Sequence, residues 1–463
     1  MTELYDVLVI GGGVVGSAVA RELSRYKLNI CVLEKNDDVC DETSGRNSGV
    51  IHGGFAYDTG TLKARLCIEG NRMMDQLSGE LGFKFHRCGK VLVGSTEEHR
   101  RSLAKTLEQG KRNGATGLSL IDDVELHHLV PHAAARFALF SKNSGIVDPF
   151  NYTIALAENA AQNGVRYFFN SDVWRAEYSA DGYWNIAAGK KIFLSKWVVN
   201  AAGLGCGEIS DMLGIKGYKI IGSKGHYIIL DKRVGPLLPM PVYPVPSNTY
   251  MGIHVTNTVN GNVLIGPDAE TVSSFSDYCV PQKNVDSLAE NARRIWPCFT
   301  EKDYIGTYAG ILSKLVDSSG TIQDFKIEIR PELAPCAVNL VGIESPGLTA
   351  AVPVARMAIE MMKEYIKLEP NPGFNPRRQG ILKFADQSEE MKKRLIAQNP
   401  AYAEIICSCE QITKEELLQA VHNPLGVRSA SGIRHRTGAM TGRCRGTACS
   451  DHIARLLLEQ MEK

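Results

Sequence analysis

The sequence predicts a mixed α/β chain of two or three domains, and three observations lead to that class. A short β-favouring run passes through a cluster of glycines into a helical pattern and then into a second strand. The 44 glycines against 19 prolines indicate many tight turns and close backbone approaches. A proline-rich break sets off a terminal segment that carries four of the 12 cysteines in two close pairs. With 463 residues, 44% hydrophobic and 22% charged, the chain has apolar mass for more than one core. Fifty-two Lys and Arg against 51 Asp and Glu leave a formal charge of +1, which argues against a broad basic face for nucleic acid. No apolar run has the length of a membrane span, and Val7 to Ile10 leads into glycines and not a cleavage site. A cytoplasmic protein with no integral membrane segment is expected. The cysteines before residue 340 are scattered singly, as buried thiols of a reducing compartment are.

The first elements in chain order describe a nucleotide site. Tyr5 to Ile10 reads as a strand, and Gly11-Gly12-Gly13-Val14-Val15-Gly16 opens a helix through Ala18, Ala20 and Leu23. Gly11 permits the tight turn, Gly13 lets the backbone approach a pyrophosphate, and Gly16 lets helix and strand pack closely. A second strand, Asn29 to Leu33, ends in Glu34, about 20 residues beyond the glycines, where a ribose hydroxyl needs an acceptor. Strand, glycines, helix, strand and acid in this order predict a Rossmann-like dinucleotide-binding domain, which by itself does not separate NAD from FAD.

Three later segments separate them. Glu42 to Gly54 is a polar loop in which Ser44, Arg46, Asn47 and Ser48 offer donors suited to a phosphate and a ring edge, ending near His52. Trp197 to Gly205 is an apolar strand stopping at Ala202-Gly203. Val341 to Ala350 leads through Gly347-Leu348-Thr349 into an apolar helix, whose first N–H groups would favour negative charge. Together these segments resemble the D-amino-acid-oxidase-like superfamily of FAD-dependent oxidoreductases. The resemblance covers nearly all of the first 370 residues. It implies FAD, and an antiparallel-sheet substrate domain inserted into the FAD-binding domain. On this reading residues 1–83, 141–220 and 326–370 bind FAD, and residues 84–140 and 221–325 form the substrate domain.

Within that superfamily Asn47-Ser48-Gly49-Val50-Ile51-His52, Leu62 to Cys67, Tyr243 to Pro246 and Gly252 to Thr256 resemble the L-2-hydroxyglutarate dehydrogenase and glycerol-3-phosphate dehydrogenase branches. A hydride-accepting flavin needs the substrate C–H placed against the ring, a group to share the hydroxyl proton, and a grip on any anionic arm. His52 is the expected base or hydrogen-bond partner. Lys224 and His226, on a strand continuing through Tyr227 to Leu230, are expected near a carboxylate or phosphate. His254 sits in an alternating segment, Met251 to Thr256. Related chains commonly carry an Arg after the run corresponding to Tyr308 to Ile311; here Leu312-Ser313-Lys314 follows, so Lys314 would supply a point charge without a planar fork.

The tail is a separate module. Glu369 to Pro376 breaks the preceding helix near Leu368, and residues 371–400 are expected to link to a unit spanning 401–463. Cys407-Ser408-Cys409, a helix from Thr413 to Val421 with Thr413 as its N-cap and Glu416 three residues on, and Cys444 to Cys449 resemble the bacterioferritin-associated-ferredoxin-like [2Fe-2S] domain, small and mainly helical. Four thiolates at this spacing also suit zinc. Arg434, Arg436, Arg443 and Arg445 crowd the second pair, where cations would stabilise an anionic cluster or dock a partner. The whole predicts an FAD-dependent dehydrogenase of a small anionic hydroxy compound, glycerol 3-phosphate or an L-2-hydroxy acid, that passes electrons through the cluster to an acceptor protein or a further flavoprotein subunit. Oxidation of an amine or imino acid, or a non-catalytic electron-transfer role, are the alternatives.

Overall fold

The structure, a computed structural model, describes residues 3–246 and 252–461. Its first layer is an eight-stranded sheet centred on Leu4–Ile10, a run apolar enough to be buried on both faces. That strand lies parallel to Ile30–Leu33 on one side and to Lys191–Asn200 on the other. Ala337–Val341 extends the parallel order beside Val198 to Asn200. Ile10, Leu33 and Asn200 therefore end along one edge, the edge at which open parallel sheets bind ligands. Helices Val14–Leu23, Leu62–Leu81, Pro149–Gln162 and Gly347–Met362 share one apolar core with the sheet.

Gly11 and Gly16 set how closely the first helix meets that edge. Gly11 has φ +107°, and a Cβ on Gly16 would stand 1.9 Å from the Gly11 carbonyl oxygen. No side chain fits there without moving backbone.

A second, nine-stranded sheet is drawn from two stretches of chain. Lys90–Gly94, Leu118–Ile121 and Phe137–Ser141 join Lys219–Leu230, Val242–Pro244, Val255–Asn257, Val263–Ile265, Glu270–Val272 and Tyr304–Val316. The expected antiparallel order holds except where Val242–Pro244 runs parallel to Lys90–Gly94, which is the seam between the two stretches. Lys219–Leu230 and Tyr304–Val316 pair along their whole length, from Lys219 opposite Val316 to Leu230 opposite Tyr304.

Several boundaries are set locally. The helix Pro149–Gln162 begins where it does because Asp148 accepts the N–H groups of Phe150 and Asn151 and proline suits a first helical position. The helix expected to reach Leu368 ends at Met362, before the proline break. The 20-residue helix Leu62–Leu81, capped by Thr61, is an element the sequence pattern does not announce. Met251 lies outside the described residues.

The tail forms a hairpin, Ile405–Cys407 with Ile412–Thr413, and three helices, Lys414–Val421, Ala430–Thr437 and Ser450–Met461, around Ile412, Leu417, Ile433 and Ile453. Thr413 and Glu416 form the anticipated capping box. This unit is fastened to the first layer by a buried charge network. Arg436 reaches Asp38 at 2.5 Å and Glu158 at 3.0 Å, and Arg378 of the connecting segment holds the other Glu158 oxygen at 2.6 Å. His435 stacks on Phe150 at 4.2 Å beside this network. Arg436→Ala would leave two buried carboxylates short of a partner, at a cost of about 3–5 kcal/mol. The expected result is a lower urea midpoint together with faster proteolysis between residues 371 and 400; an unchanged cleavage pattern would show that the unit is held elsewhere.

Candidate functional site

A cavity of about 1290 Å³ runs from the glycine turn into the space between the two sheets. Ordinary small-molecule pockets hold roughly 300–1,000 Å³, so there is room for a dinucleotide and a small substrate together. At the turn, Gly13 presents bare backbone: a Cβ built there would meet only the Ser44 hydroxyl, at 2.9 Å. Ser44 caps the helix by accepting the Val14 N–H at 2.9 Å. Glu34 is buried, with one oxygen on the Gly12 N–H at 2.7 Å and the other on the Asn36 N–H at 2.9 Å. Burial pushes its carboxyl up despite those bonds.

The polar loop is braced and not solvated. Asn47 donates to the carbonyls of Thr43 and Ser44, and Arg46 donates to the Asp41 carbonyl while its guanidinium lies 4.1 Å over the Tyr278 ring. The Ser48 hydroxyl is within reach of the phenols of Tyr227 and Tyr243. Ala202, Gly203, Gly347 and Leu348 all line the cavity. Thr349 does not: its hydroxyl accepts the His52 N–H at 3.0 Å and so fixes the loop against the helix start. Bare glycine backbone, two helix N-termini and a buried ribose-ready carboxylate fit FAD.

His52 and His254 line a chamber in the cavity with a residue that the sequence reading missed, Lys90. The Lys90 ammonium is 3.5 Å from His52 Nδ1 and lies over the rings of Tyr243 and Phe55, at 4.4 and 5.0 Å. It is 1% exposed, and burial pushes it down to about 8. Burial, the Lys90 charge and His254 hold His52 well below the usual imidazole range. His254 stacks on Tyr243 at 3.9 Å, and burial followed by Lys90 takes it down to about 3. The missed signal was a lysine heading the apolar strand Lys90–Gly94, on the same pleat face as buried Leu92.

Two expected cavity residues are placed otherwise, and a third is already paired. Lys224 and His226 alternate with Ser223, Gly225 and Tyr227, and it is the latter three that line the cavity. Lys224 instead pairs with Asp277 at 3.0 Å, and the His226 ring is held at 2.8 Å by Asp268, which itself lines the cavity. Lys314 does line the cavity, but its ammonium is matched by Glu344 at 2.8 Å, which also binds Lys63 at 2.9 Å.

In the tail the four cysteines meet two by two. The Cys409 and Cys444 thiols hydrogen-bond to each other, as do those of Cys407 and Cys449. The N–H of Ala448, the Cys409 thiol and the N–H of Gly446 hold Cys444 below the usual thiol range. Two facing thiol pairs, with N–H groups directed at one of them, fit the four-thiolate ligand set of a [2Fe-2S] cluster. The loop also touches the second sheet: Arg445 donates to the Ile305 carbonyl at 2.8 Å, on the strand whose later residues Gly310, Leu312, Ser313 and Lys314 line the cavity.

Residues 6–361 match the family of FAD dependent oxidoreductases. The chain belongs to that family. Residues 405–459 match the BFD-like [2Fe-2S] binding domain, so this oxidoreductase carries FAD and a [2Fe-2S] cluster. It is 36% identical over 461 residues to the glycerol 3-phosphate dehydrogenase of Caloramator mitchellensis, covering 99% of this chain and 95% of that one. It is 33% identical over 301 residues to the L-2-hydroxyglutarate dehydrogenase of Indibacter alkaliphilus, covering 64% and 75%. Its fold matches the L-alpha-glycerophosphate oxidase of Mycoplasma pneumoniae with FAD bound, with a TM-score of 0.76, 27% identity, and 81% and 98% of the two chains covered. No helix among the described residues is long and apolar enough to cross a membrane.

Cys444→Ser is expected to remove the visible absorption of the cluster while the flavin stays bound and reducible. Loss of both chromophores would mean that the tail is needed to fold the rest.

Proposed function

We propose that this FAD-dependent oxidoreductase is a dehydrogenase of a small hydroxy compound with an anionic arm, glycerol 3-phosphate or an L-2-hydroxy acid such as L-2-hydroxyglutarate. The observation that carries the reading is the His52 imidazole, kept unprotonated by burial and by Lys90 on the wall of a chamber opening off the nucleotide cavity. A group meant to take a hydroxyl proton has to be neutral before the reaction. Both relatives are named for the dehydrogenation of a hydroxy compound, which favours this chemistry over amine oxidation.

Bound FAD supplies the hydride acceptor for the substrate carbon. The protein does the rest. Gly11, Gly13, Gly16 and the helix start at Val14 hold the pyrophosphate, with Ser44 beside it, and Glu34 holds a ribose hydroxyl. Arg46, Asn47 and Ser48 carry the loop past the ring, and the helix start at Gly347 and Leu348 favours the negative charge that reduction brings. His52 accepts the hydroxyl proton as the C–H bond breaks. Its Nδ1 is the nitrogen nearest the Lys90 ammonium, so a substrate that engages Lys90 frees that lone pair. Thr349 fixes the His52 backbone, and Asn71 donates to the His52 carbonyl at 2.9 Å. Cys407, Cys409, Cys444 and Cys449 would hold the cluster, which would supply one-electron transfer toward an acceptor protein or a further flavoprotein subunit. A cytoplasmic site of action accords with twelve unbridged cysteines.

Anaerobic titration of the holoenzyme tests the reading. Bleaching of the flavin by glycerol 3-phosphate or L-2-hydroxyglutarate is expected, and bleaching by amino acids alone would replace it with the amine reaction. His52→Ala should slow flavin reduction by about 10²–10⁴-fold, with a smaller change in binding. Because His52 is held neutral, the reduction rate should show no step centred near the ordinary imidazole value of about 6.5. Such a step in the wild type would place His52 in a solvent-like setting.

A further inference from the structure

The charges on the cavity wall sort into satisfied and unsatisfied. Lys35 pairs with Glu42 at 2.9 Å, Lys63 and Lys314 share Glu344, and Arg46 lies over Tyr278 with its Nε on a carbonyl. Lys90 is different. It is buried, it lines the cavity, and among the described residues no Asp or Glu lies within ion-pair distance of it. Its neighbours are two aromatic faces, two imidazoles and the Cys67 thiol, which burial pushes up to about 12, so none of them carries a formal negative charge near neutral pH. An ammonium taken out of water without a counter-ion costs stability, and a protein keeps one where a ligand completes the pair.

We propose that Lys90 is the seat for the anionic group of the substrate, and that the 3.5 Å between its ammonium and His52 limits substrates to those bearing the anion on the carbinol carbon or its neighbour. This inference rests on the reading of His52 as the base. A carboxylate attached to the carbinol carbon, or a phosphate ester on the adjacent carbon, brings an anionic oxygen and the reacting hydroxyl close enough to meet both side chains. A longer spacer does not fit that separation. The phenyl and phenol faces at 5.0 and 4.4 Å add a cation–π component that holds the ammonium in place while the seat is empty. Lys314, the residue that sequence resemblance put forward, is held on the Glu344 carboxylate it shares with Lys63, whereas Lys90 faces no carboxylate.

Calorimetric titration of the holoenzyme with inorganic phosphate, and separately with malonate, tests the seat. The wild type is expected to bind at least one of them at a single site, and the one bound distinguishes a phosphate ester from a carboxylate as the natural arm. Lys90→Met should weaken that binding by about 10- to 100-fold, the worth of a charge-assisted hydrogen bond, and Lys90→Arg should retain most of it. The bound anion should raise the melting temperature of the wild type and leave that of Lys90→Met unmoved. Where Lys90→Met does not fold, the Nζ resonance of Lys90 in isotope-labelled wild type carries the test, because it should shift on anion binding. Equal binding by wild type and Lys90→Met, or no binding of either anion by the wild type, overturns the proposal. Loss of anion binding in Lys90→Met together with a wild-type flavin that no hydroxy compound reduces would leave the seat standing and remove the proposed reaction instead.

Discussion

Glu158 is a single buried carboxylate shared by two guanidinium groups, and the relation between the two redox units depends on it. One oxygen takes Arg436 from the cluster unit and the other takes Arg378 from the connecting segment, while Asp38 takes the remaining face of Arg436. Two carboxylates and two guanidiniums leave the network neutral, and all four are nearly removed from water. Buried ion networks of this kind contribute little net stability over an apolar packing of the same shape, but they discriminate sharply among arrangements, because any slip leaves a charge unpaired. The terminal unit is thereby held to one pose on the helix Pro149–Gln162.

The segment that supplies Asp38 serves both units. It leaves the second strand at Glu34, whose oxygen binds the Gly12 N–H, passes Asp38 on Arg436, and reaches Ser44 on the Val14 N–H. One short stretch of chain thus joins the nucleotide turn to the cluster unit. On the opposite side Ile305, which accepts from Arg445, and Gly310, which lines the cavity, are five residues apart on one strand, about 17 Å at the usual rise. A Cβ on Gly310 would stand 1.9 Å from the Arg46 carbonyl oxygen, so that strand and the polar loop touch backbone to backbone. The cluster loop and the flavin cavity are connected by rigid, hydrogen-bonded chain on both sides.

What could be read in advance followed periodicity. The strand, glycine turn, helix and acid of the first 34 residues, the capping box at Thr413 and the cysteine pairs are local patterns, and each stands where it was expected. The helix Leu62–Leu81 is harder to see, because charged and polar residues run through it and only one stripe, through Leu66, Met74 and Leu77, is buried. Which face of a strand meets the cavity is decided by tertiary packing, and a pleat reverses the answer at every residue. Lys224 and His226 are one position out of phase with the wall, and Thr349 spends its hydroxyl on the His52 backbone. Lys314 loses its part to Glu344, a residue 30 positions away whose proximity no local pattern announces.

Lys90 shows the same limit from the other direction. In sequence it is the unremarked first residue of an apolar strand; in the fold its ammonium is enclosed by Phe55, Tyr243 and His52. A buried lysine lowers the proton affinity of any neighbouring imidazole, because two positive charges a few ångströms apart in a poorly hydrated chamber repel strongly. The chamber therefore keeps His52 and His254 neutral beside a buried cation. In the proposed reaction an arriving anion cancels that cation, and the proton affinity of His52 rises as a hydroxyl proton has to be accepted. Substrate binding and activation of the base are then one electrostatic event. A neutral compound of the same shape would enter the chamber without producing it.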